Sequence, residues 1–191
     1  MRLANYIYKE KFLTKKECNK LIEEGQANLK TGNVFNGIDL TVRDTNVSFF
    51  HKGSVVDDIL QKIISEIVAI SLEMYGVYIT DIEPIQYAEY KKGMFYSWHS
   101  DSGLNNSQPV KRDISVSLLL NSKDEYTGGS LQMVTPNCIS KDDVFTPQDV
   151  EDQEQGTLVM FPSSMIHQVK PVISGVRKSL VLWSCSNIKP A

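Results

Sequence analysis

Cysteine and histidine are both scarce in this sequence of 191 residues, and each scarcity narrows the available chemistry. The three cysteines lie far apart and have no CxxC spacing, so neither a disulfide framework nor a thiolate zinc site is indicated. They are Cys18, Cys138 and Cys185. Histidine also occurs only three times, and any imidazole chemistry must therefore draw on His51, His99 and His167.

Long apolar runs and an excess of basic residues are absent too. No stretch approaches the length of a membrane span, and residues 1–17 lack the apolar core of a signal peptide. Twenty Lys and Arg against 23 Asp and Glu give a net charge of -3, which disfavours nucleic acid, whose binding relies on many basic contacts. We therefore expect a soluble, cytoplasmic protein with neither membrane nor nucleic acid as a partner.

The length and the hydrophobic fraction of 41% fit one domain over residues 1–191, as a monomer or homodimer. Thr14 followed by Glu17 forms a capping-box pattern, and it predicts a helix over residues 15–29. Apolar residues at helical spacing after Ser54 predict a second helix, which Gly76 ends and which should lie against a sheet.

From residue 79 onward the pattern changes to short, β-rich runs separated by turn residues. The runs are IEPIQYAEY, ISVSLLL, SLQMV, VFTP, TLVMF, MIHQV and VRKSLVLWS. Without helices between them, they favour a sandwich or jelly roll over parallel βαβ units. The prediction is an α+β, mainly β fold, with residues 1–78 as a helical support region with early strands and residues 79–191 as a jelly-roll core.

His99 and Asp101 form an HxD pair, and His167 follows in a later strand-like segment. Two imidazoles and one carboxylate on one face of a metal leave open positions, as non-haem iron(II) oxygenases require. An isolated HxD is a weak signal, and a zinc hydrolase could use the same three ligands. Such a hydrolase would need a general base, and the sequence offers no identifiable one.

Arg177 lies ten residues after His167, with PVISG between them. If this segment is a hairpin, His167 and Arg177 stand on adjacent antiparallel strands. A small molecule bound to the metal could then also reach the guanidinium of Arg177. Arginine at the base of a pocket holds a carboxylate in a bidentate way. A ligand with one chelating end and one carboxylate end has the outline of 2-oxoglutarate.

These motifs together resemble the prolyl-hydroxylase-type iron(II) and 2-oxoglutarate dioxygenases, and among them the bacterial PKHD-type hydroxylases. The resemblance is carried by YKKGMFYSWHSD, RDISVSLLLN, YTGGSLQM and GTLVMFPSSMIHQVKPVISGVRKSLVLWS, over about residues 82–186. It implies a double-stranded β-helix, or jelly roll, with the N-terminal helices packed on one sheet.

The resemblance also implies roles for six residues. His99, Asp101 and His167 would bind iron(II), Arg177 would hold the C5 carboxylate of 2-oxoglutarate, and Tyr90 would assist it. Trp183 occupies a position that lines the site in similar hydroxylases, although Tyr90 and Trp183 could equally be core residues. The reaction would consume dioxygen, release succinate and CO2, and use ascorbate as a reductant.

The substrate is left open by the sequence. The resemblance favours a prolyl residue in a peptide or protein, with a free amino acid or other small metabolite as the alternative. A non-catalytic jelly-roll binding module has no need of the triad. Nucleic-acid dealkylating dioxygenases carry a second arginine six residues after the first, where this chain has Trp183. Ser130 stands after paired glycines where PKHD-type relatives usually have an acidic residue, and this departure concerns the substrate side.

Other polar and aromatic residues of the sequence have simpler structural explanations. His51 is expected at the surface or in the core without a catalytic role, and Arg43 and Arg112 as solvated or salt-bridged surface groups. Trp98, next to a predicted ligand on extended backbone, is expected to point away and pack. The loops 102–111 and 135–155 are expected to frame the entrance.

Overall fold

The computed structural model describes residues 6–32, 37, 39–102, 111–134, 147–150 and 154–185. Two α-helices and a short π-helical turn occur in the first half of these residues, followed by a largely β second half that contains one 3-10 turn. The helical elements are α1 (Lys15–Gln26), α2 (Asp57–Ile70), the π-helical turn Ser71–Tyr75 and the 3-10 turn Lys123–Glu125. None of the helices in the described ranges is long and apolar enough to cross a bilayer.

The strands are numbered in chain order. They are β1 (Ile7–Lys9), β2 (Lys30–Thr31), β3 (Arg43–Asp44), β4 (Asn46–Phe49), β5 (Asp81–Ile82), β6 (Gln86–Lys91), β7 (Phe95–His99), β8 (Arg112–Leu119), β9 (Tyr126–Gly128), β10 (Leu131–Met133), β11 (Gln148–Asp149), β12 (Leu158–Pro162), β13 (His167–Val169) and β14 (Val172–Cys185).

The strands of the described residues form two antiparallel sheets. The larger sheet has nine strands in the order β1-β12-β8-β14-β6-β4-β2, with β5 and β9 paired to β14. The smaller sheet has five, in the order β11-β10-β13-β7-β3. Sequence neighbours are therefore divided between the sheets, as in a jelly roll, and the prediction of a mainly β jelly roll with supporting helices is confirmed.

Both helices cover the outer face of the nine-stranded sheet. Helix α1 begins with the predicted capping box, in which Thr14 Oγ1 accepts from Glu17 N and the Glu17 carboxylate accepts from Thr14 N. It ends at Gln26, three residues before the predicted end. Helix α2 buries four aliphatic side chains in a core shared with β8, β12 and β14. The burial of each side chain contributes about 1.5–3 kcal/mol to the free energy of unfolding. The prediction that this helix lies against a sheet is confirmed.

The segment between the two sheets at residues 167–177 differs from the prediction. His167 begins β13 in the five-stranded sheet, whereas Arg177 lies within β14 of the nine-stranded sheet. The predicted hairpin is therefore wrong: the chain crosses from one sheet to the other at residues 170–171, and β14 then continues for 14 residues.

The turn residue within PVISG serves a different purpose. Gly175 has a φ of 73°, and a Cβ at this position would lie 2.0 Å from the carbonyl oxygen of Glu125. Gly175 therefore allows β14 to continue past β9 with close backbone contact instead of reversing. A sequence reading takes the same glycine as a hairpin turn because both conformations need a positive φ.

Three sequence-based expectations concern residues that the structure does not describe in full. The predicted strand VFTP, at residues 144–147, lies outside the described residues except for residue 147. The two entrance loops are described only at their ends, at residues 102 and 111 and at residues 147–150 and 154–155. Three strands of the β-rich region were not predicted: β9, β11 and β7, which carries the HxD motif at its end.

Candidate active site

The facing sides of the two sheets enclose a pocket of about 440 Å³, including the part open to solvent. Its walls include all six residues that the sequence singled out: Tyr90, His99, Asp101, His167, Arg177 and Trp183. The structure therefore brings these residues together, while their roles in binding stay a prediction.

His99 and His167 come together because β7 and β13 are neighbours in the five-stranded sheet. The two residues are direct cross-strand partners, with ring centroids 4.1 Å apart. Asp101 follows β7 by two residues and is held by its backbone N–H, which donates to the carbonyl oxygen of Ser163 at 2.9 Å. Each of the three residues offers a ligand atom, and these atoms all lie within 4.8 Å of one another.

Both imidazoles are oriented so that Nε2, and not Nδ1, faces the carboxylate of Asp101. His99 Nδ1 lies 2.7 Å from the carbonyl oxygen of Ser97, and His167 Nδ1 lies 2.9 Å from that of Met165. A carbonyl oxygen only accepts, so each Nδ1 donates its proton to it, and each Nε2 is left to face the cluster. The Nε2 atoms lie 3.6 and 3.5 Å from the two carboxylate oxygens of Asp101.

Protonation in this cluster also favours metal binding. Burial lowers the pKa of His99 to about 4, with a further lowering from the neighbouring His167, so His99 is neutral near pH 7. Burial tends to raise the pKa of Asp101, but His167 and His99, the Ser115 hydroxyl and the Trp183 indole outweigh it and lower that pKa. A neutral imidazole at His99 and a charged carboxylate at Asp101 are the protonation states in which these two groups bind a divalent metal.

A pair of serine hydroxyl groups supports the carboxylate of Asp101. Ser115 Oγ on β8 donates to Asp101 Oδ2 at 2.7 Å, and it also lies 2.8 Å from Ser163 Oγ. Neither serine was identified from the sequence. The SxS alternation of β8 was the available signal, since polar residues at every second position of a buried strand must face something polar.

Arg177 reaches the pocket from the opposite sheet. It is 2% exposed, and its Nη1 donates to Ser179 Oγ at 2.9 Å. Its buried Nη2 has no hydrogen-bond partner among the described residues. A buried guanidinium with an unsatisfied N–H is costly unless an anion completes it, so this side chain fits a carboxylate ligand.

The surroundings of Arg177 leave room for such a ligand. Gly129, with a φ of 64°, faces Arg177, and a Cβ on this glycine would lie 3.1 Å from Arg177 Cδ. Tyr90 is the cross-strand partner of Arg177 on β6, with its ring centroid 5.8 Å from the guanidinium carbon. Apolar residues of both sheets, among them Leu131, Phe161 and Val169, also line the pocket.

Trp183 lies at the other end of the pocket wall. It is 8% exposed, and the guanidinium of Arg112 stacks on its ring at 3.9 Å. Arg112 in turn donates through Nε and Nη2 to the two carboxylate oxygens of Glu83, each at 2.6 Å. The prediction that Arg112 is salt-bridged is thus confirmed, with the addition that the ion pair supports a pocket residue.

Three other sequence-based expectations have clear outcomes. His51 is exposed and lies outside the pocket, as expected. Arg43 was expected at the surface, but it is 6% exposed, lines the pocket and stacks over Tyr96 at 4.8 Å, so that prediction is wrong. Trp98 was expected to pack, yet it is 39% exposed. Arg43 was misjudged because β3 is two residues long and too short to show a pattern.

Tyr96 also escaped the sequence analysis, although it lines the pocket. Its ring stacks on His99 with centroids 3.5 Å apart and an interplanar angle of 12°. Burial raises the pKa of Tyr96 to about 12, so its hydroxyl stays protonated. Tyr96 lies three residues before His99, and in a regular strand residues three apart face opposite sides. The two rings share one side because the pairing of β7 with β13 is irregular, and the sequence does not show this irregularity.

Comparisons with known proteins agree with this geometry. The family model of the 2OG-Fe(II) oxygenase superfamily matches residues 85–185, just over half of the chain. A PKHD-type hydroxylase of Shewanella sp. (strain MR-7) is 28% identical over 179 residues, which cover 92% of this chain and 76% of that protein.

Solved structures show the same fold. A Pseudomonas putida prolyl-4-hydroxylase superposes with a TM-score of 0.76 at 21% identity, covering 96% of this chain and 93% of that one. The 2OG complex of a viral collagen prolyl hydroxylase from Paramecium Bursaria Chlorella virus-1 gives a TM-score of 0.71 at 19% identity, covering 96% and 97%. The chain belongs to the 2OG-Fe(II) oxygenase superfamily.

Proposed function

We propose that this hydroxylase acts on a prolyl residue in a peptide or protein, consuming 2-oxoglutarate and dioxygen and releasing succinate and CO2. The observation that carries the proposal is the position of one metal-ligand cluster and one unsatisfied guanidinium in the same pocket. A zinc hydrolase would need the cluster but not the guanidinium. A bidentate acid such as 2-oxoglutarate needs both.

In the proposed assignment, His99, Asp101 and His167 hold iron(II). Their three ligand atoms lie within 4.8 Å of one another, and all three residues line the pocket. When bound together, iron(II), 2-oxoglutarate and dioxygen supply an oxidant that converts C–H into C–OH, while 2-oxoglutarate becomes succinate and CO2. Ascorbate is the proposed reductant that keeps the iron in the ferrous state.

The side chains around the cluster keep it in the binding form. The carbonyl oxygens of Ser97 and Met165 hold each Nδ1 proton, and the Ser115 hydroxyl holds one oxygen of Asp101. These contacts fix the rotamers of all three ligands before a metal arrives, so little ordering entropy is lost on binding.

In the same assignment, Arg177 binds the C5 carboxylate of 2-oxoglutarate, and Tyr90 and Trp183 line its site. Ser179 holds one guanidinium nitrogen and leaves the other for the ligand. Phe161, Val169 and Leu131 give the pocket apolar lining, and a low local dielectric strengthens the ion pair that the ligand forms. The protein orients the co-substrate, and it needs no nucleophilic side chain for the reaction.

The prolyl substrate rests on the relatives. Curated relatives carry the name PKHD-type hydroxylase, and one solved neighbour is a prolyl hydroxylase in complex with a hypoxia inducible factor peptide fragment from Trichoplax adhaerens. A free amino acid or another small metabolite is the second candidate, because the pocket itself is small enough to enclose one. We also propose that residues 1–191 act as a single dioxygenase domain.

The test is an anaerobic titration of the protein with iron(II) and 2-oxoglutarate, followed by exposure to oxygen and measurement of succinate. We expect a metal-to-ligand charge-transfer band before oxygen is added and succinate afterwards. Proline-containing peptides should raise the rate of succinate formation and gain 16 mass units, whereas free L-proline should do so only if the second candidate is right. Absence of the band, or succinate formation that persists unchanged in His167→Ala, would exclude the proposed site.

A further inference from the structure

Gln86 is a buried polar residue of the pocket that neither the triad nor the 2-oxoglutarate assignment uses. It is the first residue of β6, is 3% exposed and lines the pocket. Its Nε2 is buried and has no hydrogen-bond partner among the described residues. Because a buried donor without an acceptor destabilises the folded state, this amide calls for a ligand that completes it.

Phe49 lies beside Gln86 at the edge of the same wall. The two residues are direct cross-strand partners of β4 and β6, so their side chains project from the same face of the sheet. Phe49 is 46% exposed, whereas Val47, on the same face two residues earlier, is 7% exposed. The wall therefore passes from buried to solvent-exposed at Gln86 and Phe49.

This position is separate from the proposed 2-oxoglutarate clamp. Arg177 pairs with Tyr90, four residues along β6 from Gln86, which corresponds to about 13 Å at the rise of an extended strand. Strand β14 lies between β6 and β8. Gln86 is on β6, on one side of β14, and Ser115, which donates to Asp101, is on β8, on the other side. Gln86 is thus displaced from both the clamp and the hydroxyl that supports the metal ligand.

We propose that Gln86 and Phe49 form a contact site for the prime substrate, in which Gln86 Nε2 donates a hydrogen bond to a main-chain carbonyl oxygen of a peptide. Phe49 packs against the apolar atoms next to that carbonyl. The inference rests on the proposed function, and it makes Gln86 a residue that positions the substrate.

The chemistry of the two residues selects the kind of atom that they bind. The free group of Gln86 is an N–H, so its ligand atom must be an acceptor, and an sp² oxygen is the usual one in peptides. A half-exposed phenyl ring next to it favours a neighbouring apolar group over a charged one. An amide carbonyl beside a pyrrolidine ring satisfies both conditions. The carboxylate of free proline offers an oxygen but adds a charge.

Two small molecules distinguish an amide carbonyl oxygen from a carboxylate oxygen as the acceptor. N-acetyl-L-proline methylamide carries amide carbonyls on both sides of the ring, and L-proline carries a free carboxylate. Each is titrated into the protein loaded with Mn(II) and 2-oxoglutarate, and binding is followed by the paramagnetic relaxation of the ring protons. Mn(II) is a suitable metal because it suits carboxylate and imidazole ligands and relaxes nearby protons strongly.

We expect the wild-type protein to bind the amide probe, and Gln86→Met to bind it about five- to tenfold more weakly, the effect of one neutral hydrogen bond. Phe49→Ala should weaken binding to a similar degree, while Phe49→Tyr, which keeps the ring, should retain it. Gln132→Met is the matched control, since Gln132 pairs with Gln168 outside the pocket. The affinity for 2-oxoglutarate should be the same in all of these variants.

Folding supplies a second readout. Because Gln86→Met removes a buried Nε2 that lacks a partner and keeps the side-chain volume, the free energy of unfolding without ligands should be unchanged or higher. A residue that only supports the fold would show a loss. A clear loss of stability in Gln86→Met would therefore overturn the proposal.

Three other results would also overturn it: equal affinity of wild type and Gln86→Met for the amide probe, weaker binding of 2-oxoglutarate by Gln86→Met, and binding of neither probe by the wild type. Binding of L-proline alone, sensitive to Gln86→Met, would overturn the peptide assignment. Failure of the proposed function is seen separately, as absence of succinate from the iron-loaded wild type in oxygen, because the Mn(II) measurement requires no turnover.

Discussion

His99 and His167 face each other directly across two neighbouring antiparallel strands, and each holds its Nδ1 proton against the carbonyl oxygen of the residue two positions before it. The same local arrangement is therefore repeated on both strands. It sets both Nε2 atoms toward Asp101, and the ring of Phe161 on β12 packs edge-on against His167 at 4.8 Å. The carbonyl groups that orient the two histidines belong to β7 and to the turn before β13.

Replacing His167 by alanine should remove metal binding. The cluster would lose one of its three ligand atoms, and we expect the affinity for Mn(II) or Fe(II) to fall by more than about 100-fold, beyond the loss seen on removing groups that merely orient a ligand. Isothermal titration of the metal-free protein measures this. His51→Ala is the matched control, because His51 is exposed and lies outside the pocket. Equal losses in both variants would contradict the assignment.

Replacing Arg177 by leucine should weaken 2-oxoglutarate far more than the metal. Loss of the charged hydrogen bonds to a buried carboxylate should cost about 2–3 kcal/mol, a change in affinity of about 30- to 150-fold. Arg177→Lys should recover only part of this, since an ammonium group cannot form the paired contact. The measurement is quenching of protein fluorescence by 2-oxoglutarate in the presence of Mn(II).

Lys178→Met is the matched control for Arg177. It removes a cation from the neighbouring position of the same strand, and Lys178 does not line the pocket. If Lys178→Met weakens 2-oxoglutarate as much as Arg177→Leu does, the effect comes from general charge, and the clamp assignment is wrong.

The metal-free protein should lose stability as the pH falls from 6.5 towards 4. Burial, aided by His167, lowers the pKa of His99 to about 4 in the folded protein, below its usual value of 6.5. The unfolded chain therefore binds more protons in this range, and the free energy of unfolding falls as the pH falls. This contribution is complete above pH 6.5.

Urea denaturation at pH 7 and at pH 5 in the presence of a chelator measures this dependence. His99→Gln should show a smaller decrease between the two pH values, whereas His51→Gln should behave as the wild type. An unchanged decrease in His99→Gln would mean that other groups cause it.

The ion pair between Glu83 and Arg112 should stabilise the fold through Trp183. Both Arg112–Glu83 contacts are 2.6 Å long, and the guanidinium lies 3.9 Å above the indole ring. Arg112→Met should therefore lower the free energy of unfolding by about 1–2 kcal/mol. Trp98→Phe leaves Trp183 as the sole tryptophan, and in this background Arg112→Met should shift its emission to longer wavelength. An unchanged spectrum would show that the stack does not shield Trp183.

Much of the fold was predictable because it depends on local patterns. Thr14 and Glu17 have the spacing of a capping box, which marks the start of a helix in the sequence itself. Gly76 ends the helical region with a φ of 64°, a conformation that glycine adopts freely. The strand segments TLVMF and SLVLW were evident since strands buried on both faces are apolar throughout.

The parts that the sequence did not reveal depend on distant residues. The pairing of β13 with β7, and not with β14, follows from the packing of two sheets, and no local pattern in residues 167–177 encodes it. Arg43 and Gln86 are polar residues that the complete sandwich buries. Their types are typical of surfaces, so only the assembled pocket shows that they face its interior.

The division of the pocket between two sheets has a consequence for the response to ligands. The metal ligands come from the five-stranded sheet and its adjoining turn, and Arg177 comes from the nine-stranded sheet. A molecule that touches both adds a removable cross-link to the contacts that already join the two layers. We expect metal and 2-oxoglutarate together to slow the separation of the layers more than either does alone, so the resistance of this protein to heat and proteolysis would report the supply of its own co-substrate.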